Sequence, residues 1–203
     1  MMTRDDRQPI IVADAGPLIR LAAAGLLDGL RATNRRVVIV DRVEAEATQD
    51  RSQPYAKEIA EWIERNSDAI ERPRTVIGFG IEKLESEVRT PAQDQLLKSA
   101  LRNSGENAMR EFLETWIPDA PGALLVYENE DIPFALQSSR VPLMLMTTRR
   151  FARQIVEWDI NVDAVLAVEE VAKRFKTHRS MSGSIDPEES VDFRQLPQPD
   201  EPK

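Results

Sequence analysis

The chain has 203 residues, 41% of them hydrophobic, which suits one folded domain with a real core and excludes wholesale disorder. It has no cysteine and a single histidine, His178, so any bound metal is expected to take oxygen ligands, as Mg²⁺, Mn²⁺ and Ca²⁺ do. The net charge of −8 argues against binding nucleic acid by charge alone. No apolar run is long enough to cross a membrane and the first residues are polar, so we expect a cytoplasmic protein.

Short apolar runs alternate with helical stretches along the chain. The predicted strands are residues 10–13, 37–40, 75–79, 123–127 and 141–146. The predicted helices are residues 15–30, a stretch after residue 40, residues 55–66, pieces of 82–103 broken near Pro91, and residues 104–116, 149–157 and 162–175. This alternation predicts an α/β fold, a three-layer sandwich with a mostly parallel sheet of about five strands flanked by helices.

The chain is expected to divide into one domain and a tail. Residues 1–176 carry the alternating pattern and form the predicted domain. Residues 177–203 are polar and rich in proline, so we expect a tail without fixed structure. In a sheet of parallel strands, ligands bind beyond the carboxyl ends of the strands, and residues at those ends are the first candidates for a functional site.

Two acidic residues follow the first two predicted strands. Asp14 comes directly after a strand and before a helix start, which places its carboxylate at the carboxyl edge of the sheet. Aspartate is also a favoured helix N-cap, and capping is the competing interpretation. Glu46 lies three residues beyond Val43, so both are expected on one side of their helix, whereas Glu44 is expected to face solvent. An isolated helical glutamate is most often a solvated surface residue.

Further acids lie in the second half of the chain. Glu106 follows Gly105 at a predicted helix start, where a glutamate also gains from the helix dipole. Glu128, Glu130 and Asp131 crowd the end of the fourth predicted strand. Acids this close repel one another unless they are solvated or hold a cation, so a solvated turn is the alternative to a metal site.

The positions of these acids agree with one another. Most lie just past a predicted strand or at a helix start, and such positions converge at one edge of an α/β sheet. Several carboxylates brought together at neutral pH need a hard cation, and Mg²⁺ bound by a few carboxylates and waters fits them. Such an ion polarises a phosphodiester, lowers the pKa of a bound water and stabilises the leaving oxygen, which is the chemistry of metal nucleases.

Four motifs in this order and spacing resemble the PIN-domain family, and most closely its VapC-like ribonuclease branch. They are Asp-Ala-Gly-Pro-Leu-Ile from Asp14, Val-Ile-Val-Asp-Arg-Val before Glu46, Gly-Glu-Asn-Ala around Glu106, and the acidic end of the fourth strand, within residues 10–173. The resemblance implies a PIN-like sandwich and an enzyme that cuts single-stranded RNA with Mg²⁺ or Mn²⁺. By this resemblance Asp14, Glu46 and Glu106 are catalytic, metal-binding residues.

The remaining site residues follow from the same resemblance. The fourth acidic place is open between Glu128 and Asp131, because the run Glu-Asn-Glu-Asp lacks the adjacent acids typical of the family. Thr147 follows the fifth predicted strand, where the family often has a hydroxyl near the first aspartate, although helix capping also explains it. Arg149 and Arg150 are candidates for contacting substrate phosphate, with a solvated helix start as the alternative.

A metal-dependent endoribonuclease is therefore the leading hypothesis. The toxin half of a toxin–antitoxin pair is the role expected for such an enzyme, with a small antitoxin protein and a second copy of the chain as partners. The alternative is a PIN-like protein that binds a partner or nucleic acid without cutting it, because the net charge of −8 and Asn129 both weaken the case for a nuclease. A Mg²⁺-dependent phosphatase ranks third, because the chain lacks an Asp-x-Asp pair and a Gly-rich phosphate loop.

Overall fold

The computed structural model describes residues 9–33, 35–87, 90–115, 122–128 and 141–157. Within them a sheet of five parallel strands has the order β3-β2-β1-β4-β5. The strands are β1 (Ile10–Ala13), β2 (Val37–Val38), β3 (Ile70–Glu71), β4 (Ala123–Tyr127) and β5 (Leu143–Thr147). The predicted α/β fold with a parallel sheet flanked by helices is confirmed.

The centre of the sheet is β1, which is buried along its whole length. A strand covered on both faces is expected to be continuously apolar, and the Ile-Ile-Val-Ala sequence of β1 has that character. Ala13 lies opposite Val126 of β4, and the Asp14 backbone N–H donates to the Val126 carbonyl at 3.1 Å. The residues that follow β1 and β4 therefore leave the sheet side by side at the same edge.

Eight helices lie in the described part of the chain. They are α1 (Ala15–Ala23), α2 (Gly29–Ala32), α3 (Asp41–Thr48), α4 (Ala56–Arg65), α5 (Val76–Ser86), α6 (Pro91–Leu101), α7 (Ser104–Thr115) and α8 (Thr148–Glu157). Helix α1 is shorter than predicted, because Gly25 adopts a left-handed backbone with φ +67° and turns the chain before Leu30. Helix α3 packs against both α1, which Asp14 precedes, and α7, whose first turn contains Glu106.

The strand predicted at residues 75–79 is wrong, because this segment begins α5 and the third strand is β3. The Thr75 hydroxyl accepts a hydrogen bond from the Gly78 N–H at 2.9 Å, as in an N-cap. The first two N–H groups of α5 donate to the Glu111 carboxylate at 2.6 and 3.0 Å. The pattern of a short apolar run does not distinguish a strand from a helix. Here the hydrogen bonds that the first N–H groups donate to Thr75 and Glu111 stabilise a helix.

Some predictions fall outside the described residues. These are the helix at 162–175, the tail at 177–203 and the candidate ligand Asp131. Among the helices that the structure does describe, none combines the length and the apolar character needed to cross a bilayer.

Candidate metal centre

Asp14 is the first residue after β1 and takes the N-cap position of α1 with an extended backbone, φ −79° and ψ 167°. Its side chain nevertheless makes no capping hydrogen bond to the helix. The capping interpretation of this residue therefore lacks the contact on which it depends.

The surroundings of Asp14 penalise its charge. Burial raises the pKa of Asp14 to about 7, and the Ala15 N–H offsets this only in part. The negative charges of Glu46, Glu106 and Glu128 raise it further. A carboxylate that repels three neighbouring acids, and that forms no ion pair with the described residues, is suited to bind a cation.

Glu46 and Glu106 are brought together where α3 packs against the start of α7. A Cβ atom at Gly105 would lie 2.9 Å from Glu46 Oε2 and 3.4 Å from Val43 Cγ2. Glu46 and Val43 therefore share the side of α3 that faces α7, as predicted. Glycine at position 105 is what allows the Glu46 carboxylate to lie against the helix turn that carries Glu106.

The prediction that Glu44 faces solvent is wrong. Glu46 is exposed, whereas Glu44 is half-buried and forms an ion pair with Arg72. Enough protein surrounds the Glu46 carboxylate that desolvation raises its pKa, and the positive charge of Arg42 opposes this effect. Arg42 itself is only 5% exposed, and its Nε has no hydrogen-bond partner.

Glu128 directly follows β4 and lies next to Asp14. A Cβ atom at Gly16 would be 3.1 Å from the Cβ of Glu128 and 4.0 Å from Asp14 Oδ2, so both acids border the same glycine. Glu128 Oε2 forms an ion pair with Arg20 Nη1 at 2.8 Å. The other oxygen, Oε1, is buried and makes no hydrogen bond of good geometry within the described part of the chain.

A hydroxyl also faces Glu128. Burial raises the pKa of Glu128, whereas the Thr148 hydroxyl and the positive charge of Arg20 lower it. Thr148 is fully buried, and its Oγ1, like Glu128 Oε1, makes no hydrogen bond of good geometry to any residue that the structure describes. Buried oxygens normally have a partner. A cation bound beside these acids, together with its water molecules, would provide partners for both oxygens.

The acids converge without forming a closed cage. In the described segments, no group of three acidic or histidine side chains is placed to hold one ion directly. Mg²⁺ usually binds one or two carboxylates and keeps several water molecules, so direct ligation by three side chains is not required. The residues fit such an ion, with Asp14 and the free oxygen of Glu128 as neighbouring donors and Glu46 and Glu106 within electrostatic reach.

The candidates after β5 differ from the acids. The Thr147 hydroxyl accepts a weak hydrogen bond from the Arg150 N–H at 3.4 Å, which agrees with the capping interpretation. Arg149 is exposed and Arg150 is half-buried. Neither arginine is among the charges that lower the pKa of Asp14 or Glu128. The substrate-binding role given to these three residues remains a prediction.

Sequence reasoning missed Arg20 and Arg42, the two arginines beside the acids. Arg20 is the sixth residue of α1 and Arg42 is the second residue of α3, and each is followed by an apolar residue. Arg42 also precedes Glu46 by four residues, the spacing that places two side chains on one face of a helix. That spacing is a signal by which Arg42 could have been found.

Residues 10–99 match the model of a family described as DUF3368, a PIN domain. The matched segment contains Asp14 and Glu46 and ends before Glu106 and Glu128. Neither a curated protein nor a solved structure gives a significant match to the chain. The family match supports the PIN-domain resemblance and a nuclease type of function in general terms.

Proposed function

We propose that the chain is an endoribonuclease that cuts single-stranded RNA with Mg²⁺ or Mn²⁺. The proposal rests on Asp14, a largely buried carboxylate that caps no helix and repels three other acids at one edge of the sheet. The match to a PIN domain supports the same conclusion, because these domains are generally nucleases that use divalent metal ions.

The four acids have different tasks in this proposal. A bound divalent cation supplies the means to polarise the phosphodiester, lower the pKa of the attacking water and stabilise the leaving oxygen. Asp14 and Glu128 would hold the cation. Because the pKa of Asp14 is about 7, this residue is partly protonated near neutral pH and must lose its proton when the cation binds. Glu46 is the most exposed of the four acids, which suits a contact to water molecules around the cation.

RNA cleavage by the purified chain tests the proposal. A fluorescently labelled single-stranded RNA is incubated with the chain in Mg²⁺, in Mn²⁺ and in EDTA. We expect cleavage with either metal and none in EDTA. The Asp14→Asn variant controls for contaminating nuclease, and Asp50→Asn, which changes an exposed aspartate outside the acidic cluster, serves as its matched control. Equal cleavage by wild type and Asp14→Asn contradicts the proposal.

The VapC-like branch and the toxin role belong to this proposal as well. They rest on the order of the four motifs, and they imply a small antitoxin protein and a second copy of the chain as partners. Induced expression tests the role: wild type is expected to arrest bacterial growth, and Asp14→Asn is expected not to. Cleavage in vitro without growth arrest would leave an RNA-cutting enzyme that is not a toxin.

A second candidate function is RNA or protein binding without cleavage. It is favoured by the finding that, among the described residues, no three acids are placed to hold one ion directly. The two functions differ in one measurement. Binding of single-stranded RNA in EDTA, followed by no cleavage in Mg²⁺ or Mn²⁺, identifies the binding module.

A further inference from the structure

Two arginines act on different members of the acidic cluster, which we define as Asp14, Glu46, Glu106 and Glu128. Arg20 of α1 forms its 2.8 Å ion pair with Glu128, and both side chains are about five-sixths buried, with 15% and 16% exposed. An ion pair this far from solvent is screened weakly. Arg20 is therefore a fixed positive charge beside the cluster.

The ion pair limits what Glu128 can offer a metal. Two-metal sites hold their ions about 3.5–4 Å apart, and a carboxylate that bridges them uses one oxygen for each ion. In this chain Arg20 holds Oε2 of Glu128, and the buried Oε1 has no hydrogen bond of good geometry among the described residues. Glu128 therefore offers Oε1 to a cation, whereas a cation at Oε2 would have to share that oxygen with the positive charge of Arg20.

Arg42 compensates another member of the cluster. It is almost fully buried and precedes Glu46 by one turn on the same face of α3. A buried guanidinium is costly unless a negative charge lies near it. The positive charge of Arg42 lowers the pKa of Glu46, so the two groups offset each other in part.

We propose that Arg20 and Arg42 are counter-ions of the acidic cluster and that they restrict it to one divalent cation. This inference rests on the proposed function. Four carboxylates and two guanidinium groups leave a charge of about −2, which one divalent ion neutralises and two would exceed. Thr148, which is fully buried and has no hydrogen bond of good geometry for its hydroxyl, marks the side of Glu128 where that single cation is expected.

The test counts metal ions in the full chain. Mn²⁺ is titrated at pH 8, and the free ion is measured by electron paramagnetic resonance. We expect wild type to bind one Mn²⁺ per chain. Arg20→Gln frees both oxygens of Glu128 and removes a positive charge, so it is expected to bind a second Mn²⁺ or to bind the first about tenfold more tightly. Arg20→Lys keeps the charge and is expected to behave as wild type.

Arg72→Gln is the matched control, because Arg72 pairs with Glu44 and Glu64 outside the cluster. It is expected to leave the count at one ion. Two Mn²⁺ ions bound by wild type would overturn the inference, even if the Arg20→Gln variant failed to fold. An unchanged count and affinity in folded Arg20→Gln would overturn it as well. If wild type binds no Mn²⁺, both this inference and the proposed function are contradicted. If it binds one Mn²⁺ but does not cleave RNA, only the proposed function is contradicted.

Discussion

Replacing Asp14 by asparagine is expected to stabilise the metal-free chain while abolishing its RNA cleavage. The substitution keeps the shape of the side chain and removes its charge. Because Asp14 makes no capping hydrogen bond, little structural support is lost. Because three acids repel its charge, an electrostatic penalty is removed.

The pKa of Asp14 gives the size and the sign of this effect. The difference between about 7 in the folded chain and the ordinary 3.8 corresponds to about 4 kcal/mol at 1.36 kcal/mol per pH unit. An acid whose pKa is raised on folding costs stability as the pH rises from about 4 to about 7, and the full cost applies above pH 7. Desolvation of the new amide reduces the gain, so we expect roughly 1–3 kcal/mol at pH 8 and about 2 kcal/mol less at pH 5.

Urea unfolding in EDTA at pH 5 and pH 8 measures the stability of wild type and variant. Asp50→Asn provides the contrast, since the Ser52 hydroxyl and N–H lower the pKa of exposed Asp50, and its substitution is expected to give no gain at pH 8. Cleavage of single-stranded RNA with Mg²⁺ is expected to fall about a thousandfold in Asp14→Asn. A variant that is destabilised equally at both pH values would show that Asp14 supports α1 after all.

Three further outcomes are expected. Gly105→Ala places a methyl group 2.9 Å from Glu46 Oε2 and is expected to lower RNA cleavage at least tenfold. The free energy of unfolding in urea is expected to fall by about 1 kcal/mol or less. Unchanged cleavage would contradict the position given to Glu46. Gly78→Ala places a Cβ 1.9 Å from Asp41 Oδ2 and is expected to destabilise the fold by about 1–3 kcal/mol, and a melting temperature equal to wild type would refute this. Mn²⁺ affinity is expected to fall about tenfold per pH unit below pH 7, because the proton that Asp14 holds must leave, and calorimetry in two buffers that differ in ionisation enthalpy would detect its release.

The position of the site at one edge of the sheet could be predicted from sequence. An apolar run that ends in an acid predicts where a buried parallel strand stops, and strand ends share one edge of a parallel sheet. Asp14 and Glu128 meet for this reason, because Ala13 and Val126 lie opposite each other in the register of β1 and β4. The Gly-Glu pair likewise predicted the start of α7, and Gly105 is where Glu46 lies against that helix.

The segment between the second strand and α6 could not be predicted as well. Residues 75–79 have the apolar character of a strand, but Asp41 and Glu111 accept hydrogen bonds from the start of α5 and stabilise a helix there. Both carboxylates lie about 34 residues away in sequence, on α3 and α7. Local pattern contains no information about such distant caps, so tertiary contacts decided the structure of this segment.

The counter-ions of the cluster are unpredictable for the same reason. Sequence places Arg20 six residues beyond Asp14, a separation that would put the two side chains on different faces of an ideal helix. Asp14, however, precedes α1, and the partner of Arg20 is Glu128, which reaches it from β4. Charge balance at this site thus depends on which strand ends are neighbours in the sheet, and that order, β1 beside β4, is fixed by packing across more than 100 residues of chain. A reading that counts only acids therefore overestimates the negative charge available to a metal.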